Sequence, residues 1–206
     1  MNLFKSHLCV IDFETTGIIG KHAWTEAIEL AAVLLTPAGE EVDTWSALIR
    51  PEYLGPEIDD ALKINHITRE ELLSQMPAGG VLPSFLGWWN NQGRPWLTSF
   101  NLNFDRPVAE KMGFRTDRWA ACIMVRAQNR MAAAGALPQF RNGQYKWPSL
   151  AEAGTFFAVP PCEPAHRALA DARRAALIAC AIRRRELGIE PNPSATPADP
   201  SERSAS

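Results

Sequence analysis

Two carboxylates end the first apolar segment of the chain, "CVIDFETTG", residues 9–17. Alternate side chains of an extended segment share a face, so Asp12 and Glu14 lie on the same side of a predicted strand. Two unit charges ~4 Å apart repel by roughly 4 kcal/mol at an effective dielectric near 20. A positive group must offset that repulsion, or one acid must stay protonated. From this segment alone, a solvent-exposed acidic strand end is an equally good interpretation.

Two further acids occur near the starts of predicted helices. Asp105 lies in "NLNFDRP", where an acid also stabilises the helix dipole by ~0.3–1 kcal/mol. Asp171 falls on the apolar stripe of a long C-terminal helix, and a buried Asp is rare unless it is paired or metal-bound. A helix cap for Asp105 and a buried salt bridge for Asp171 are the alternatives to a metal site.

One histidine is placed to act beside these acids. His166 precedes Asp171 by five residues, and five steps turn a helix by about 140°, so the two would not share a helical face. The preceding "PPCEPA" predicts that His166 lies on a loop or at the helix start. From there it could serve as a general base without binding a metal, although a surface or capping role is the alternative.

The elements that would position these residues are those of one α/β domain. A β-meander is predicted over residues 7–14, 27–35 and 41–49, with a short buried strand at 95–101. Residues 51–80 predict loops and short helices. The remaining helices are expected at 82–92, 104–113, 117–134 (mostly helical), 147–159 (a short helix and loop) and 167–187. The domain would cover residues 1–190. Residues 191–206 lack any apolar residue larger than alanine, which predicts a disordered tail.

Composition is that of a globular protein, with 206 residues, 46% hydrophobic and 21% charged. No apolar run approaches the ~20 residues of a membrane span, and no secretory signal is apparent. The four cysteines are far apart without a CxxC pair, which favours a reducing cytoplasm over structural zinc or disulfides.

Charge is unevenly distributed along the chain, although the net charge is only −2. Residues 1–80 contain 13 acids and five Lys or Arg, whereas residues 81–190 contain eight acids and 15 Lys or Arg. This distribution suits a polyanion held by a basic surface beside an acidic, cation-binding site. Two ordinary solvated faces would give the same count.

Taken together, three motifs resemble those of the DEDDh family of 3′–5′ exonucleases, which includes the proofreading epsilon subunit of bacterial DNA polymerase III. They are "DFETTG" on the first strand, "NxxFD" after the fourth and "HxAxxD" at the last helix. The resemblance covers roughly residues 7–187, and the His spacing separates this branch from relatives with a Tyr four residues before the last Asp. It implies a ribonuclease-H-like three-layer α/β fold, with a mixed five-stranded sheet flanked by helices.

The resemblance also implies a metal-dependent site. Asp12, Glu14 and Asp171 would bind two divalent cations, Asp12 bridging them, and Asp105 would bind directly or through water. Oxygen-only ligands suit Mg²⁺ or Mn²⁺. His166 would take the proton of the attacking water, and nucleoside 5′-monophosphates would be released.

Pocket residues follow from the same resemblance. "NHIT", residues 65–68, is similar to the "HGIT" segment of epsilon-like members, so His66 would line the pocket for the terminal nucleotide, although Asn-His replaces the usual His-Gly. The other pocket candidates are Thr15, Thr16, Asn101 and Phe104. Among the seven tryptophans, Trp88, Trp89 and Trp147 are candidates for stacking on bases.

The expected function is therefore a 3′–5′ exonuclease acting on a single-stranded 3′ end, with DNA favoured. An exoribonuclease that trims RNA ends is the second hypothesis. An inactive nucleic-acid-binding module is the third, and the complete set of acids and His166 argues against it. A DNA polymerase partner is not supported, because the tail lacks a long Gln-rich or hydrophobic extension. The sequence leaves the oligomeric state open.

Overall fold

A four-stranded mixed sheet forms the centre of the protein, whose computed structural model describes residues 2–17, 25–164 and 166–189. The predicted tail, 191–206, lies outside the described residues. The strands are β1 (Leu8–Thr15), β2 (Ala27–Leu35), β3 (Glu41–Leu48) and β4 (Trp96–Thr98). Their order is β3-β2-β1-β4, and β1 pairs antiparallel with β2 and parallel with β4. The acid-bearing strand β1 is therefore central, as its apolar faces predicted.

Seven α-helices are described around this sheet. They are α1 (Asp59–Asn65), α2 (Arg69–Leu73), α3 (Ala78–Asn91), α4 (Leu102–Lys111), α5 (Ile123–Ala133), α6 (Leu150–Phe157) and α7 (Ala168–Glu186), with a 3₁₀ turn at Pro56–Ile58. Within residues 51–80 the 3₁₀ turn, α1 and α2 are short and are joined by loops. The prediction of loops and short helices for this region is therefore confirmed.

The sheet is covered on both faces, which confirms the predicted three-layer α/β fold. On one face Val10 and Val33 pack in a cluster with buried residues of α5, α6 and α7. On the other, Ile11 and Leu30 pack with Phe85 of α3 and residues of α4. Because β2 is covered on both sides, all nine of its residues are buried.

The expected fifth strand is not formed in the part of the chain that the structure describes. Beside β4, residues 118–120 contribute one parallel bridge, between Leu97 and Trp119. The Leu97 N–H donates to the Arg118 carbonyl at 2.8 Å, and the Ala120 N–H donates to the Leu97 carbonyl at 2.7 Å. Because β4 has only three residues, its free edge is too short to pair with a longer fifth strand.

Two helix starts differ from those predicted. The predicted helix at 82–92 begins at Ala78, because its first turn accommodates Gly79 and Gly80 directly after the extended residue Pro77. The predicted helix at 117–134 begins only at Ile123, since residues 118–120 are held extended against β4.

No described helix has both the length and the apolarity needed to cross a membrane.

Candidate active site

Three carboxylates converge where β1 ends and α7 begins. Asp12 and Glu14 lie on the face of β1 that α7 covers, and Asp171 lies in the first turn of α7. One oxygen from each of the three lies within 4.8 Å of the others. This spacing suits a shared hard cation, because oxygen donors at such separations can reach one ion together.

Small side chains let α7 approach the sheet closely enough to form this cluster. The predicted stripe of Ala168, Ala175, Ile178 and Ile182 is buried, no residue being more than 1% exposed. Asp171 shares that face, so its carboxylate points toward β1, as the helical periodicity predicted.

A β-bulge lies directly beyond the strand acids. Glu14 is paired with Glu29 on β2, whereas the next residue, Thr15, is paired with Ala27. The extra residue on β2 bends the pair of strands at this point. The chain then turns through Thr16, whose hydroxyl accepts a hydrogen bond from the Glu26 N–H at 2.9 Å. The bulge and turn therefore shape the space next to Glu14.

Asp105 lies in the first turn of α4 and is 3% exposed. The Asp105 N–H donates to the Asn101 carbonyl at 3.0 Å, and the backbone of Phe13 on β1 lowers the pKa of the Asp105 carboxyl. Asp105 thus ties α4 to β1, and it also lines the same cavity as the three clustered acids. Its place in the first turn suits the helix dipole, and its carboxylate lies outside the 4.8 Å cluster of the other three acids.

Burial raises the pKa of every acid in the site, and repulsion from neighbouring site acids adds to this at Asp12 and Glu14. The pKa of Asp12 lies well above its usual range, first through burial and then through the charges of Asp105 and Glu14. Burial and the charge of Asp171 raise the pKa of Glu14 to about 8. Burial raises the pKa of Asp105 to about 7, although nearby backbone groups lower it, and burial also raises the pKa of Asp171. Four acids with raised pKa values at one point indicate a site built for added positive charge.

A buried ion pair beside the site was missed by sequence reasoning. Arg167, which immediately precedes α7, donates two hydrogen bonds to Glu29 at 3.0 and 2.9 Å, and the Ala168 N–H adds a third at 3.0 Å. Arg167 also lowers the pKa of neighbouring Glu14. The detectable signal was Glu29 itself, the single acid in the apolar strand "AIELAAVLL".

His166 lies on the loop that precedes α7, as predicted. Its backbone is left-handed, with φ 57°, and its N–H donates to the Asp171 carboxylate. His166 lines a cavity of about 270 Å³ together with Asp12, Glu14, Asp105 and Asp171. The structure therefore brings all five predicted catalytic residues to one cavity.

An adjoining cavity of about 360 Å³ contains the predicted pocket residues Thr15, Thr16 and Phe104. Asn101 lines the smaller cavity, and Glu14 and Phe104 line both. The two cavities thus form one continuous depression, with acids at one end and an aromatic ring beside them.

His66 does not join this depression. It is the left-handed residue that ends α1, with φ 53°, and it lines a separate open cavity with Lys63 and Arg69. Its neighbour Asn65 lines both site cavities, and the Asn65 side chain donates to the Thr15 carbonyl at 3.4 Å. In "NHIT", His66 therefore has the backbone conformation that favours glycine, and Asn65 lies where a pocket residue was expected.

Comparison with known proteins gives a family and a fold. The sequence model of a family described as "Exonuclease" matches residues 9–179. The nuclease domain of 3′hExo, a DEDDh family member solved with rAMP, matches with a TM-score of 0.68 and 20% identity, covering 93% of this chain and 98% of that one. Cell-death related nuclease 4 matches with a TM-score of 0.71 and 14% identity, covering 91% and 67%.

A third solved structure, E. coli exonuclease I with a dA16 oligonucleotide, has a TM-score of 0.66 and 17% identity, covering 87% of this chain and 41% of that one. No curated protein matches significantly. The family match includes the strand that carries Asp12 and the helix that carries Asp171, and it extends over most of the sequence. The chain therefore belongs to the exonuclease family, as its resemblance to the DEDDh enzymes predicted.

Proposed function

We propose that this exonuclease removes nucleoside 5′-monophosphates from the 3′ end of single-stranded DNA. It would use two divalent cations, Mg²⁺ or Mn²⁺, and His166 as general base. The observation that carries the proposal is the convergence of Asp12, Glu14 and Asp171 within 4.8 Å, in a cavity that His166 also lines.

The donor set fits the proposed cations. Every donor in the cluster is a carboxylate oxygen, which suits Mg²⁺ or Mn²⁺ better than zinc. Asp12, Glu14 and Asp171 would hold the ions, and Asp105, which lies outside the cluster, would act through water. When bound, two such ions supply Lewis-acid polarisation of the phosphodiester and of the attacking water.

His166 would accept the proton of that water. His166 lines the cavity from a loop, and its backbone N–H interacts with the Asp171 carboxylate, so its imidazole would be left for proton transfer. The Arg167–Glu29 pair next to it would keep the loop fixed during the reaction.

The terminal nucleotide would occupy the larger cavity. Thr15 and Thr16 form its polar wall, and the Phe104 ring lies between the two cavities as a surface for a base. Asn65 would supply an amide in place of the predicted His66.

An exoribonuclease is the second candidate. The 3′hExo nuclease domain, solved with rAMP, covers this chain almost end to end, whereas the exonuclease I complex contains a DNA oligonucleotide. Residues 1–190 would form the catalytic domain. The four cysteines are free, which supports the proposed cytoplasmic location.

One assay tests the proposal. Purified protein is incubated with single-stranded DNA or matched RNA, with Mg²⁺ or with a chelator. A 3′ label should be released at once as a mononucleotide, while a 5′ label should give a descending ladder, and the chelator should abolish both. Cleavage of a closed circular strand would contradict the exonuclease mechanism, and strong RNA preference would establish the second candidate.

A further inference from the structure

An antiparallel hairpin, residues 138–147, connects α5 to α6 and has no role in the site described so far. Gln139 and Tyr145 form its bridge, and the Phe140 N–H donates to the Gln144 carbonyl at 2.7 Å. The Lys146 N–H donates to the Pro138 carbonyl at 3.0 Å. Three consecutive backbone contacts make this an ordered element.

The base of the hairpin is fixed to the body of the protein. The Gln128 side chain of α5 donates to the Tyr145 carbonyl at 3.0 Å. Tyr145 also packs against the core cluster that contains buried Leu137. The hairpin is therefore held in one place, and binding to it would require little ordering of the chain.

Large aromatic side chains on this hairpin face solvent. Phe140 is 55% exposed and Trp147 is 52% exposed. Of the three tryptophans singled out for stacking, the other two are engaged elsewhere: Trp89 is 3% exposed, and the Trp88 indole N–H donates to Asp43 at 2.9 Å. Trp147 is thus the candidate whose ring remains accessible.

The charge around the hairpin favours a polyanion. Residues 118–151 contain five Lys or Arg and no acid, and two of these cations, Arg126 and Arg130, pair with Glu186 of α7. Lys146 is paired with Glu152, whereas Arg141 at the hairpin tip forms no ion pair within the described residues. Exposed aromatic rings next to a cation that has no ion pair can bind a single strand, because the rings stack on bases and the cation contacts phosphate. A protein partner would favour an apolar surface, but the hairpin also exposes Gln139, Asn142 and Gln144.

The hairpin lies close to the active site. Trp147 is three residues before Leu150, which lines the cavity with His166 and Asp171. Three residues span at most ~11 Å of chain. A strand whose 3′ end occupies the cavity can therefore reach Trp147 with its preceding nucleotides.

We infer that the 138–147 hairpin is a second binding surface for the single-stranded polynucleotide, behind its 3′ end. Trp147 stacks on a base near the cavity, and Phe140 with Arg141 contacts the strand farther from it. The inference rests on the proposed function, since it assigns to the hairpin the part of the substrate that the cavity does not hold.

Substrate length provides the test. KM and kcat are measured for a dinucleotide, which fills only the cavity, and for a long oligonucleotide, with DNA and RNA arms to identify the polymer. Trp147→Ala should raise KM for the long substrate by roughly 5- to 150-fold, the range expected for one lost stacked base. Its kcat, and both constants for the dinucleotide, should stay at the wild-type level. Trp147→Phe should restore most of the loss.

Trp96→Ala is the matched control. Trp96 is 43% exposed and pairs with Leu8 at the far end of β1 from the acids, so its removal should leave the length dependence unchanged. Equal losses on short and long substrates in Trp147→Ala would overturn the inference, as would no loss on either.

Binding without metal separates this inference from the proposed function. The metal-free wild type should bind a labelled long oligonucleotide, measured by anisotropy, more tightly than Trp147→Ala or Arg141→Ala. This should hold whether or not any substrate is hydrolysed. Hydrolysis of neither substrate by the wild type would refute the proposed function alone, whereas identical affinities of all variants would refute the hairpin surface alone.

Discussion

Asp12, Glu14 and Asp171 place three carboxylates within 4.8 Å of one another. Without a metal, burial raises the pKa of each, repulsion from neighbouring site acids adds to this at Asp12 and Glu14, and Arg167 offsets part of the effect at Glu14. A bound cation reverses this balance, because it favours the ionised form of all three at once. The site therefore gains most from a ligand with high positive charge and small volume.

Asp171→Asn should abolish both hydrolysis and stabilisation by metal. For the wild type, Mn²⁺ at a hundredfold excess over its Kd should add about 2.7 kcal/mol to the free energy of unfolding. The variant loses one of three clustered donors and should gain little. Thermal unfolding with and without Mn²⁺ measures both values. The control is Asp117→Asn, an exposed acid outside the cluster, which should behave as wild type. Undiminished stabilisation of Asp171→Asn would exclude the assigned ligand set.

His166→Asn should reduce the rate and leave metal binding intact. Asn tolerates the left-handed backbone of this position better than Ala, and it keeps the N–H that donates to Asp171. Loss of a general base lowers rates by ~10²–10⁴-fold. Calorimetric Mn²⁺ titration and kcat must come from the same preparation. If affinity falls together with rate, His166 is a ligand or a structural residue.

The first residues of α7 are joined to the sheet by an ion pair and a backbone hydrogen bond. The Glu29–Arg167 pair and the Ala168 N–H join them to β2, next to the strand that carries Asp12 and Glu14. The side chain of Glu29 is 6% exposed, so removing one partner leaves the other partly buried and uncompensated. The pair thus couples the position of His166 and Asp171 to the sheet.

Glu29→Gln should lower the free energy of unfolding by about 3 kcal/mol, as expected for a broken buried pair. The matched control lies on the same helix, where Arg173 pairs with exposed Glu41 at 2.9 Å, and Glu41→Gln should cost only ~0.2–1 kcal/mol. Denaturant unfolding gives both values. Removing both charges, with Glu29→Gln and Arg167→Gln, should cost less than the sum of the single losses. Equal costs for the two glutamates would show that the Glu29 pair does not anchor α7.

Local patterns were sufficient to predict β1, β2 and the orientation of α7. The alternation around Asp12 and the alanine stripe around Asp171 each depend on one element, so the sequence contains the whole signal. The missing fifth strand and the late start of α5 depend on pairing across the chain, between Leu97 and Trp119. The pocket position of Asn65 could not be read from "NHIT", because it depends on which residue of α1 takes the left-handed conformation.

The raised pKa values of the site acids make the free energy of unfolding of the protein depend on both pH and bound metal. Folded metal-free protein retains protons on Glu14 up to about pH 8 and on Asp105 up to about pH 7, whereas an unfolded chain releases them near pH 4–5. In that window the folded state binds more protons, so the free energy of unfolding falls as the pH rises.

The metal-free protein should therefore be most stable near pH 5 and lose stability toward pH 8, by no more than ~1.4 kcal/mol per pH unit for each titrating group. Saturating Mg²⁺ should remove this slope, since the acids then stay ionised in the folded state. Glu14→Gln should flatten the slope of the metal-free protein. Denaturant unfolding at several pH values between 5 and 8, with chelator or with Mg²⁺, measures the slope of the free energy of unfolding with pH. A slope that Mg²⁺ does not change would refute the coupling.

The central position of β1 also limits how the sequence can change over evolution. Substitutions among its apolar residues alter packing volume and leave Asp12 and Glu14 facing α7. Insertion or deletion of one residue before Asp12 would rotate both acids to the opposite face, among the apolar side chains of α3 and α4. Related sequences should therefore vary in the composition of this strand while the number of residues between its start and its acids stays fixed.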